Sequence, residues 1–438
     1  MDSMKILLIG SGAREHALAW KFRQSDITDE LWIWPGSPTM LAHGQRLDID
    51  NDARWEDLAR YAKNQGIDFV VVGPEQPLED GFADACQLIG LPCFGPLQAA
   101  ARLESSKAFS KEVMAAAGIP TAAFFVVKGE GECRAKAREC LQRTQGVVIK
   151  ASGLASGKGV FVCFDEASIE EACQRLYYSG MAKAAETVVI EEVLTGRECS
   201  FFVFMGEGEP TPLGFAVDHK RLKDGDIGPN TGGMGCYTPV PWLPGEAGDQ
   251  VMTKVVQPLI AELAKRGMKY TGCLYVGLMW NDEGFAVVEF NARLGDPEAE
   301  VLAVHDKRDW TKLIAMKLGL LPEDRHFLAA AKDNSGATVC VVLASSCYPF
   351  GDSPTGRYVV PKSVFANTNL DLCAFAAAVR LEKDELVTGK GRMLTIVTHA
   401  TTFAEARKKS YAHIDVLTKD WQGVQFRRDI GSVLENDR

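Results

Sequence analysis

Short apolar segments alternate with amphipathic ones over about the first hundred residues of the chain. Residues 5–9, 31–34 and 69–72 are apolar runs of strand length, each followed by turn-forming glycine or proline. The segments at 14–22 and 55–65 have the length and spacing of amphipathic helices. This alternation predicts a parallel, doubly wound sheet with helices on its faces.

The pattern changes after Glu104, where strands and helices no longer alternate regularly. A helix is predicted at 106–117, and residues 122–192 read as a compact α+β unit. Further strands look antiparallel, and after the linker-like Leu321-Pro322 a strand-rich portion begins at 337. The strands predicted between 122 and 344 lie at 147–150, 160–162, 188–190, 199–205, 213–217, 286–290 and 337–344, with helices at 169–179 and 251–266. The fold class predicted is therefore multidomain, α/β followed by α+β.

Composition agrees with a globular chain of several domains. The chain has 438 residues, of which 46% are hydrophobic and 24% charged. At roughly 150 residues per domain, that length suggests about three domains. The formal net charge of -10 argues against general nucleic-acid binding, so any phosphate-binding surface would be local, with lysines and arginines gathered in one cleft.

Cysteine usage and the chain ends indicate a cytoplasmic setting. The 12 cysteines are scattered, without zinc-knuckle spacing, and are expected to be free thiols in a reducing compartment. The apolar run at 6–9 is too short for a secretory signal. No stretch approaches the length of a membrane span.

Two glycine-rich segments follow predicted strands and are candidates for phosphate binding. Residues 10–14 (GSGAR) open a helix, where bare amides attract anions, although a tight strand-to-helix turn needs glycine anyway. A nicotinamide site would want a third small residue where Arg14-Glu15 stands. Residues 151–159 (ASGLASGKG) could form a mobile phosphate cover with Lys150 and Lys158, or be a plain hairpin; Walker spacing is absent.

Two further segments carry polar groups at strand ends or in a loop. Residues 188–198 (VVIEEVLTGRE) could present backbone groups to an adenine and Glu198 to a ribose hydroxyl, or be a solvated strand end. Residues 228–235 (GPNTGGMG) are too glycine-rich for a regular element, and a loop of this kind is usually functional or disordered. The neighbouring Tyr237 and proline residues argue against simple disorder.

The strongest candidate for chemistry is the segment 287–300 (VVEFNARLGDPEAE). In an alternating strand, Glu289, Asn291 and Arg293 point to one face, and Val288, Phe290 and Ala292 to the other. Carboxylate and amide oxygens suit Mg²⁺, and a guanidinium can fork onto a carboxylate or phosphate. The alternative is a salt-bridged strand face.

The order and spacing of these segments resemble the phosphoribosylamine–glycine ligase family of the ATP-grasp superfamily. The resemblance runs nearly from end to end, through the motifs GSGAREHALAW, VVGPEQPL, ESSKAFSK, IPTA, GLASGKG, VVIEE, DHKR, GPNTGGMG, NARLGDPE and FRRDIG. It implies an N-terminal domain over 1–104, an ATP-grasp domain over 105–333 and a C-terminal domain over 334–438. Residues 121–193 would form a lid subdomain over the nucleotide.

The resemblance also implies roles for individual residues. Glu289 and Asn291 would hold Mg²⁺ or Mn²⁺, and Arg293, Asp296 and Lys158 would serve catalysis. The residues implied for ATP are Lys107, Lys150, Gly157, Gly159, Glu191, Glu192, Val193 and Glu198. Those implied for glycine and phosphoribosylamine are Gly10, Gly12, Arg14, Glu15, Asp218, Lys220, Asn230, Thr231 and Gly232.

The chain departs from the family pattern at a few positions. Ala13 stands for a glycine, Ser37-Pro38 for an asparagine and a later glycine, and Ser152 for an aspartate. Residues 375–378 read FAAA where a phenylalanine–histidine–alanine–glycine run is usual. These changes bear on the amine substrate more than on ATP use.

Three functions stay open from the sequence. The first is ligation of glycine to 5-phosphoribosylamine through a glycyl phosphate, in a cytoplasmic monomer or weak homodimer that binds no nucleic acid or membrane. The second is a diverged ATP-grasp ligase for another carboxylate and amine. The third is a nucleotide-binding regulatory protein that has lost catalysis. The presence of Glu289, Asn291 and Arg293 argues against this third function.

Overall fold

The computed structural model describes residues 3–154, 159–329, 334–350, 358–366 and 371–434. The N-terminal strands form a five-stranded parallel sheet in the order β3-β2-β1-β4-β5, which confirms the doubly wound prediction. Its central strand is buried on both faces because helices cover both sides. The elements of this part are β1 (Met4–Gly10), α1 (Ala13–Phe22), β2 (Thr28–Pro35), a 3₁₀ turn (Met40–Ala42), β3 (Gln45–Arg46), α2 (Trp55–Asn64), β4 (Phe69–Val72), α3 (Glu75–Glu79), α4 (Phe82–Leu88), β5 (Cys93–Phe94) and α5 (Gln98–Ser105).

The α+β unit predicted next is a four-stranded antiparallel sheet in the order β6-β9-β7-β8. Two helices pack together and enclose a separate small apolar core with this sheet. Its elements, with the helix that leads into them, are α6 (Lys107–Ala116), β6 (Phe124–Lys128), α7 (Gly129–Leu141), β7 (Val147–Ala151), β8 (Val160–Cys163), α8 (Glu166–Tyr178) and β9 (Thr187–Glu192).

The central strands are antiparallel, as predicted, and belong to a nine-stranded sheet. The residues 252–256, inside the helix predicted at 251–266, form a π-helical turn. The elements are β10 (Arg197–Met205), β11 (Thr211–Asp218), β12 (Arg221–Lys223), a 3₁₀ turn (Asp224–Asp226), β13 (Ile227–Asn230), β14 (Gly235–Thr238), α9 (Ala247–Val251), the π turn (Met252–Val256), α10 (Gln257–Lys265), β15 (Gly272–Asn281), β16 (Gly284–Asn291), α11 (Glu298–His305), α12 (Trp310–Lys317) and α13 (Arg325–Ala329).

Four of the described C-terminal strands continue the same large sheet, which runs in the order β16-β15-β10-β11-β14-β17-β22-β19, with β23 beside β17. Three others form a separate antiparallel sheet in the order β18-β21-β20. Pairing of β14 with β17 therefore ties the C-terminal part to the central part through backbone hydrogen bonds. The elements are β17 (Ala337–Ser345), β18 (Val359–Val360), a 3₁₀ turn (Lys362–Phe365), β19 (Leu372–Ala376), β20 (Val379–Glu382), β21 (Glu385–Thr388), β22 (Arg392–Ala400), α14 (Phe403–Leu417), β23 (Val424–Gln425) and a 3₁₀ turn (Ser432–Leu434).

The alternation predicted for the 287–293 segment holds only in part. Gly277 pairs with Glu289 but Leu278 pairs with Val287, so Val288 is an extra residue in β16. Because of this bulge, Val287 rather than Val288 joins Phe290 in the core. Strand β16 ends at Asn291, so Arg293 lies beyond it.

Within the residues that the structure describes, no helix is both long enough and apolar enough to cross a membrane.

Candidate active site

The end of β16 lies among three lysines from three separate segments of the chain. Burial alone would raise the pKa of the Glu289 carboxyl, but Lys220, Lys107 and Lys150 bring it below its usual value. Glu289 and Asn291, two residues apart at the end of the strand, are both partly exposed. The arrangement gives two oxygen ligands for a hard cation beside a cluster of positive charge.

Arg293 is held by two acids. Its Nη2 lies 2.8 Å from Glu104 Oε1 and its Nε lies 3.3 Å from Glu75 Oε2. The other oxygen of Glu104 accepts a hydrogen bond of 2.7 Å from the backbone N–H of Ala292. These two salt bridges therefore fix the orientation of the Arg293 guanidinium. A salt-bridged face was the alternative interpretation of the segment 287–300 in the sequence.

Lys150, one of the lysines proposed for ATP, and Lys111 lie against the buried carboxylate of Glu191. Lys150 Nζ lies 3.0 Å from the carboxylate of Glu191, and Lys111 Nζ lies 3.1 Å from Glu191 Oε2. Burial lowers the pKa of Lys111 to about 8, against the opposing charge of Glu191. Burial also lowers the pKa of Lys107, and Glu289 opposes that shift. The side chain of Glu191 is thus occupied by lysines, and only its backbone remains for an adenine.

The other residues proposed for ATP, Glu192, Val193 and Glu198, lie at the end of β9 and on β10. The Glu192 carboxylate accepts a 3.0 Å hydrogen bond from Ala123 N–H, and Val193 follows directly at the end of β9. Glu198 on β10 forms an ion pair with Lys220. Burial would lower the pKa of Lys220, but Glu198, Tyr275 and Glu289 raise it well above its ordinary value.

The glycine-rich hairpin after β7 is described only in part. Gly157 and Lys158 lie outside the described residues, whereas Gly159 O accepts a 2.8 Å hydrogen bond from Ala151 N–H. Ser152, one of the departures from the family pattern, forms two hydrogen bonds with α6. Its hydroxyl accepts a 3.0 Å hydrogen bond from the N–H of Ala108, and its carbonyl accepts one of 2.9 Å from Lys107 N–H. Ser152 therefore supports the start of α6 and the backbone of Lys107.

The first strand-to-helix turn is built around Glu15. The Glu15 carboxylate accepts hydrogen bonds from Gly12 N–H at 2.7 Å and from Arg14 Nε at 2.6 Å. Gly10 has a φ of +129°, and a methyl group there would lie 2.6 Å from Glu15 Cδ. A methyl group at Gly12 would lie 3.8 Å from Asp296 Oδ2, so the turn faces the segment after β16. The structure thus brings Gly10, Gly12, Arg14, Glu15 and Asp296 together.

The loop at 228–235 is anchored from the C-terminal part. Thr231 donates to Lys220 O at 2.9 Å, and Gly232 N–H donates to Tyr348 Oη at 2.8 Å. The Arg392 guanidinium donates to the carbonyls of Gly232 and Asp296, and lies 3.1 Å from Asp296 Oδ1. Asn230 is exposed and pairs with Arg221 in the β12–β13 hairpin that leads into this loop.

An open cleft of about 320 Å³ separates the first turn from the C-terminal strands. Three of its lining residues, Ser37, Pro38 and Ala378, are positions where the chain departs from the family pattern. The complete lining is Ser11, Gly36, Ser37, Pro38, Ala377, Ala378, Val379, Arg380 and Gly389. These three departures therefore lie together at the cleft, whereas Ser152 lies against the backbone of Lys107.

Several residues of the site were not singled out from the sequence. Glu75 and Glu104 lie in the quoted motifs VVGPEQPL and ESSKAFSK, so a motif signal for them existed. Lys111 follows Lys107 by one helical turn and could have been found by that spacing. No sequence signal pointed to Arg392, because its contacts with Gly232 and Asp296 come from the pairing of distant strands.

Comparisons with known proteins agree along the whole chain. Family models for the three domains of phosphoribosylglycinamide synthetase match residues 4–104 (N domain), 105–299 (ATP-grasp domain) and 338–433 (C domain). The phosphoribosylamine–glycine ligase of Agrobacterium fabrum is 38% identical, over 98% of this chain and 98% of that protein.

Solved structures give the same result for the fold. The phosphoribosylamine–glycine ligase of Thermotoga maritima superposes with a TM-score of 0.80 at 30% identity, covering 97% of this chain and 100% of the other. The biotin carboxylase domain of Hydrogenobacter thermophilus 2-oxoglutarate carboxylase, solved with Mg-ADP, has a TM-score of 0.69 at 17% identity, over 97% and 92%. The second likeness concerns the fold alone, whereas the matches to the three domain models and to full-length relatives show that the chain belongs to the phosphoribosylglycinamide synthetase family.

Proposed function

We propose that this chain is an ATP-dependent carboxylate–amine ligase that joins glycine to 5-phosphoribosylamine, giving glycinamide ribonucleotide, ADP and phosphate. The observation that carries the proposal is the position of Glu289 and Asn291 beside Lys107, Lys150 and Lys220. Family membership over nearly the full chain supports the same reaction, because the relatives are phosphoribosylamine–glycine ligases.

The reaction needs an activated carboxylate. A free carboxylate is a poor acylating agent, and transfer of the γ-phosphoryl group converts it to an acyl phosphate, here glycyl phosphate. The amine then attacks the carbonyl carbon, and inorganic phosphate leaves. Phosphoryl transfer depends on positioning and charge neutralisation more than on a protein nucleophile, which fits a site rich in lysines and arginines.

For ATP we propose binding between the β6–β9 sheet and the β16 end. Lys107 and Lys150 would contact the phosphates, the backbone of Glu191 to Val193 the adenine, and Glu198 the ribose. A Mg²⁺ or Mn²⁺ ion held by Glu289 and Asn291 would neutralise phosphate charge and help orient the γ-phosphoryl group. Two protein ligands suit such an ion because Mg²⁺ usually takes its other ligands from phosphates and water.

For phosphoribosylamine we propose the side of the site formed by the first turn. Gly12 brings the backbone of the turn close to Asp296, and the open cleft beside Ser11 and Ser37 has room for a phosphosugar. Arg380 supplies positive charge in that cleft. The amine would then approach an acyl phosphate formed near Glu289 from the side of Asp296 and Arg293.

The domain limits 1–104, 105–333 and 334–438 remain part of this proposal, as does a closing movement of the 121–193 lid. A lid would exclude water from the acyl phosphate, which hydrolysis would otherwise destroy. We also propose a cytoplasmic monomer or weak homodimer that works on small molecules and binds neither nucleic acid nor membrane.

A substrate panel tests the function. Purified protein would be given ATP, with and without Mg²⁺, and pairs of carboxylates and amines that include glycine with phosphoribosylamine generated in place. We expect ADP release that requires glycine, phosphoribosylamine and the metal together. Turnover only with a different pair, or no turnover with any pair, would contradict the proposal.

A further inference from the structure

Separate segments of the chain meet at the open cleft, and one buried histidine lies behind them. The cleft is lined by Ser11, by residues 36–38 and by residues 377–380 with Gly389. His16 lies on α1, one turn after the segment that contains Ser11, and is 0% exposed. His16 is not one of the described residues that line the cleft. Any effect of this side chain on a bound ligand must therefore act through its neighbours.

One ring nitrogen of His16 holds the cleft wall that comes from the C-terminal strands. His16 Nδ1 accepts a 2.9 Å hydrogen bond from the N–H of Ala376, the last residue of β19. The chain continues from Ala376 directly into the lining residues Ala377 and Ala378. Phe375 packs against the same ring at 5.5 Å between ring centroids. The position of this wall therefore depends on the acceptor that His16 provides.

The Ala376 hydrogen bond also decides which nitrogen of His16 carries the hydrogen. A backbone N–H can only donate, so Nδ1 has no hydrogen of its own. Burial lowers the pKa of His16 well below its usual value, so the ring is neutral and its single hydrogen is on Nε2. His16 therefore accepts through Nδ1 and donates through Nε2.

Both nitrogens also hold the second cleft wall, which is the loop after β2. His16 Nε2 lies 3.3 Å from Nε2 of His43 and donates to it. Thr39 Oγ1 lies 3.3 Å from His16 Nδ1, and Ser37 Oγ, in the cleft lining, lies 3.2 Å from Thr39 Oγ1. His16 thus contacts this loop at Thr39 and at His43, and it bridges the two walls of the cleft.

The same hydrogen bonds set the direction of the Ser37 hydroxyl. Since His16 Nδ1 has no hydrogen, Thr39 donates to it, and Thr39 Oγ1 then accepts from Ser37. The lone pairs of Ser37 Oγ remain for a ligand in the cleft. A ligand that satisfies them must bring a hydrogen-bond donor, such as a sugar hydroxyl.

We propose that His16 is a positioning residue for the amine substrate, because it fixes the two cleft walls relative to each other and turns Ser37 into a hydrogen-bond acceptor for a sugar hydroxyl. This inference rests on the proposed function, which puts phosphoribosylamine in this cleft. His16 is not a catalytic residue, since its ring is fully buried behind the walls that it holds.

His16→Leu tests the proposal, because leucine removes the acceptor of Ala376 N–H and of Thr39. ADP release would be measured while phosphoribosylamine, glycine and Mg-ATP are varied in turn. We expect the KM for phosphoribosylamine to rise by about tenfold, since buried donors lose their partner and both walls shift. The KM values for glycine and ATP should stay within about twofold of wild type, because the sites proposed for them do not include this cleft. No rise, or an equal rise in all three KM values, would overturn the inference.

His16→Asn should restore most of the affinity that leucine loses. The asparagine Oδ1 can accept the hydrogen bonds that Nδ1 accepts, although it does not reach His43 in the way Nε2 does. We expect the KM for phosphoribosylamine to lie within about threefold of wild type. A KM as high as that of His16→Leu would contradict a role for the Nδ1 acceptor.

His305→Leu is the matched control. His305 is also buried, and its Nδ1 lies 3.1 Å from Thr338 Oγ1, but it is not one of the described residues that line the cleft. The control should lose stability and keep the wild-type KM for phosphoribosylamine. A rise as large as that of His16→Leu would assign the effect to general loss of stability and overturn the inference.

Thr39→Val gives a second measurement if His16→Leu does not fold. Valine keeps the shape of threonine and the hydrogen bond from Ala376 to His16, but it removes the link to Ser37. We expect the KM for phosphoribosylamine to rise by about threefold, with the KM for glycine unchanged. An unchanged KM for phosphoribosylamine would overturn the inference while the ligase reaction stands. Absence of wild-type turnover with phosphoribosylamine would instead overturn the proposed function, and this inference with it.

Discussion

At the scale of single residues, the site is a set of acids whose partners differ. Glu191 and Glu198 pair with lysines, and Glu104 pairs with Arg293. Glu289 has lysines around it but forms no ion pair with any residue that the structure describes, so its carboxylate remains available to a ligand. Electrostatic environment, rather than residue type, thus separates the proposed metal ligand Glu289 from acids that hold cationic side chains in place.

Replacing Glu289 with alanine should abolish turnover without unfolding the protein. We expect kcat to fall by about a hundredfold or more, because charge stabilisation at the transferring phosphoryl group is lost. The side chain is partly exposed, so the free energy of unfolding should change by less than about 1 kcal/mol. Steady-state ADP release and urea unfolding would measure the two quantities.

Glu283→Ala is the control for that substitution. Glu283 is exposed in the turn that joins β15 to β16, at the opposite end of the same hairpin. It should leave both the rate and the stability at wild-type values. A wild-type rate from Glu289→Ala itself would remove Glu289 from the metal site.

The residue types of the site could be predicted from the sequence, but some of their partners could not. The spacing of Glu289, Asn291 and Arg293 identified oxygen ligands and a guanidinium, yet the bulge at Val288 and the pairing of Arg293 with Glu75 are not visible in an alternating pattern. Glu75 comes from the N-terminal sheet, and such a contact depends on domain packing.

At the scale of secondary structure elements, glycine positions control how closely segments approach. Gly10 ends β1 with a φ of +129°, and the Glu15 side chain fills the space where a side chain at 10 would go. Glu15 in turn fixes Gly12 and Arg14. The buried Glu15 carboxylate therefore fits in this turn because residue 10 is a glycine and has no side chain.

Gly10→Ala should destabilise the protein more than an alanine at an open position with a similarly positive φ. Gly284, the first residue of β16, has a φ of +133° and nothing within 4 Å of an added methyl group. We expect Gly284→Ala to cost about 1–2 kcal/mol of unfolding free energy from backbone strain alone. Gly10→Ala should cost about 2–4 kcal/mol, because the methyl group also meets Glu15.

Urea unfolding of both variants beside wild type measures this difference. Equal losses of stability in the two variants would show that the contact with Glu15 has no energetic weight.

The positions of individual strands and helices were the feature best predicted from the sequence. The alternation of apolar runs and amphipathic helices predicted β1, β2 and β4 within a few residues, because a buried parallel strand is an uninterrupted apolar run. The π-helical turn at Met252–Val256 was not predicted, since nothing in its composition differs from an ordinary helix.

At the scale of the whole molecule, the three parts of the chain are joined by shared structure. The large sheet runs from β16 through β14 into β17 and β22, so central and C-terminal strands form one hydrogen-bonded layer. His16 of α1 links the N-terminal part to the same layer, because its Nδ1 accepts a 2.9 Å hydrogen bond from Ala376 N–H. Its other ring nitrogen lies 3.3 Å from His43 Nε2.

Three histidines, His16, His43 and His305, predict a loss of stability in mild acid. Burial lowers the pKa of His43 and of His305 to about 4, and burial together with His43 lowers that of His16 well below 6.5. As pH falls below about 6.5, the unfolded chain takes up protons on these imidazoles and the folded chain does not. The free energy of unfolding should therefore fall by roughly 1–3 kcal/mol per histidine between about pH 6.5 and pH 4.

His16→Asn isolates one share of this effect. The asparagine Oδ1 can accept the hydrogen bond from Ala376 N–H but does not titrate. Urea unfolding at several pH values should give a shallower pH dependence for this variant than for wild type. An identical dependence would mean that His16 takes up no proton on unfolding.

The path of the large sheet through both central and C-terminal parts could not be predicted. The sequence showed a strand-rich portion beginning at 337, but strand partners far apart in the chain are set by packing and not by local pattern. For the same reason the cleft beside Ser37 and Ala378 became visible only in three dimensions.

The central claim is that glycine is activated as an acyl phosphate at the end of β16. Isotopic labelling tests it most directly: glycine with ¹⁸O in both carboxylate oxygens would be turned over with phosphoribosylamine and Mg-ATP, and the phosphate analysed by mass spectrometry. The account predicts one ¹⁸O atom in each phosphate released, because a carboxylate oxygen attacks the γ-phosphorus and leaves with it. Phosphate without label, from a reaction that still forms glycinamide ribonucleotide, would contradict it.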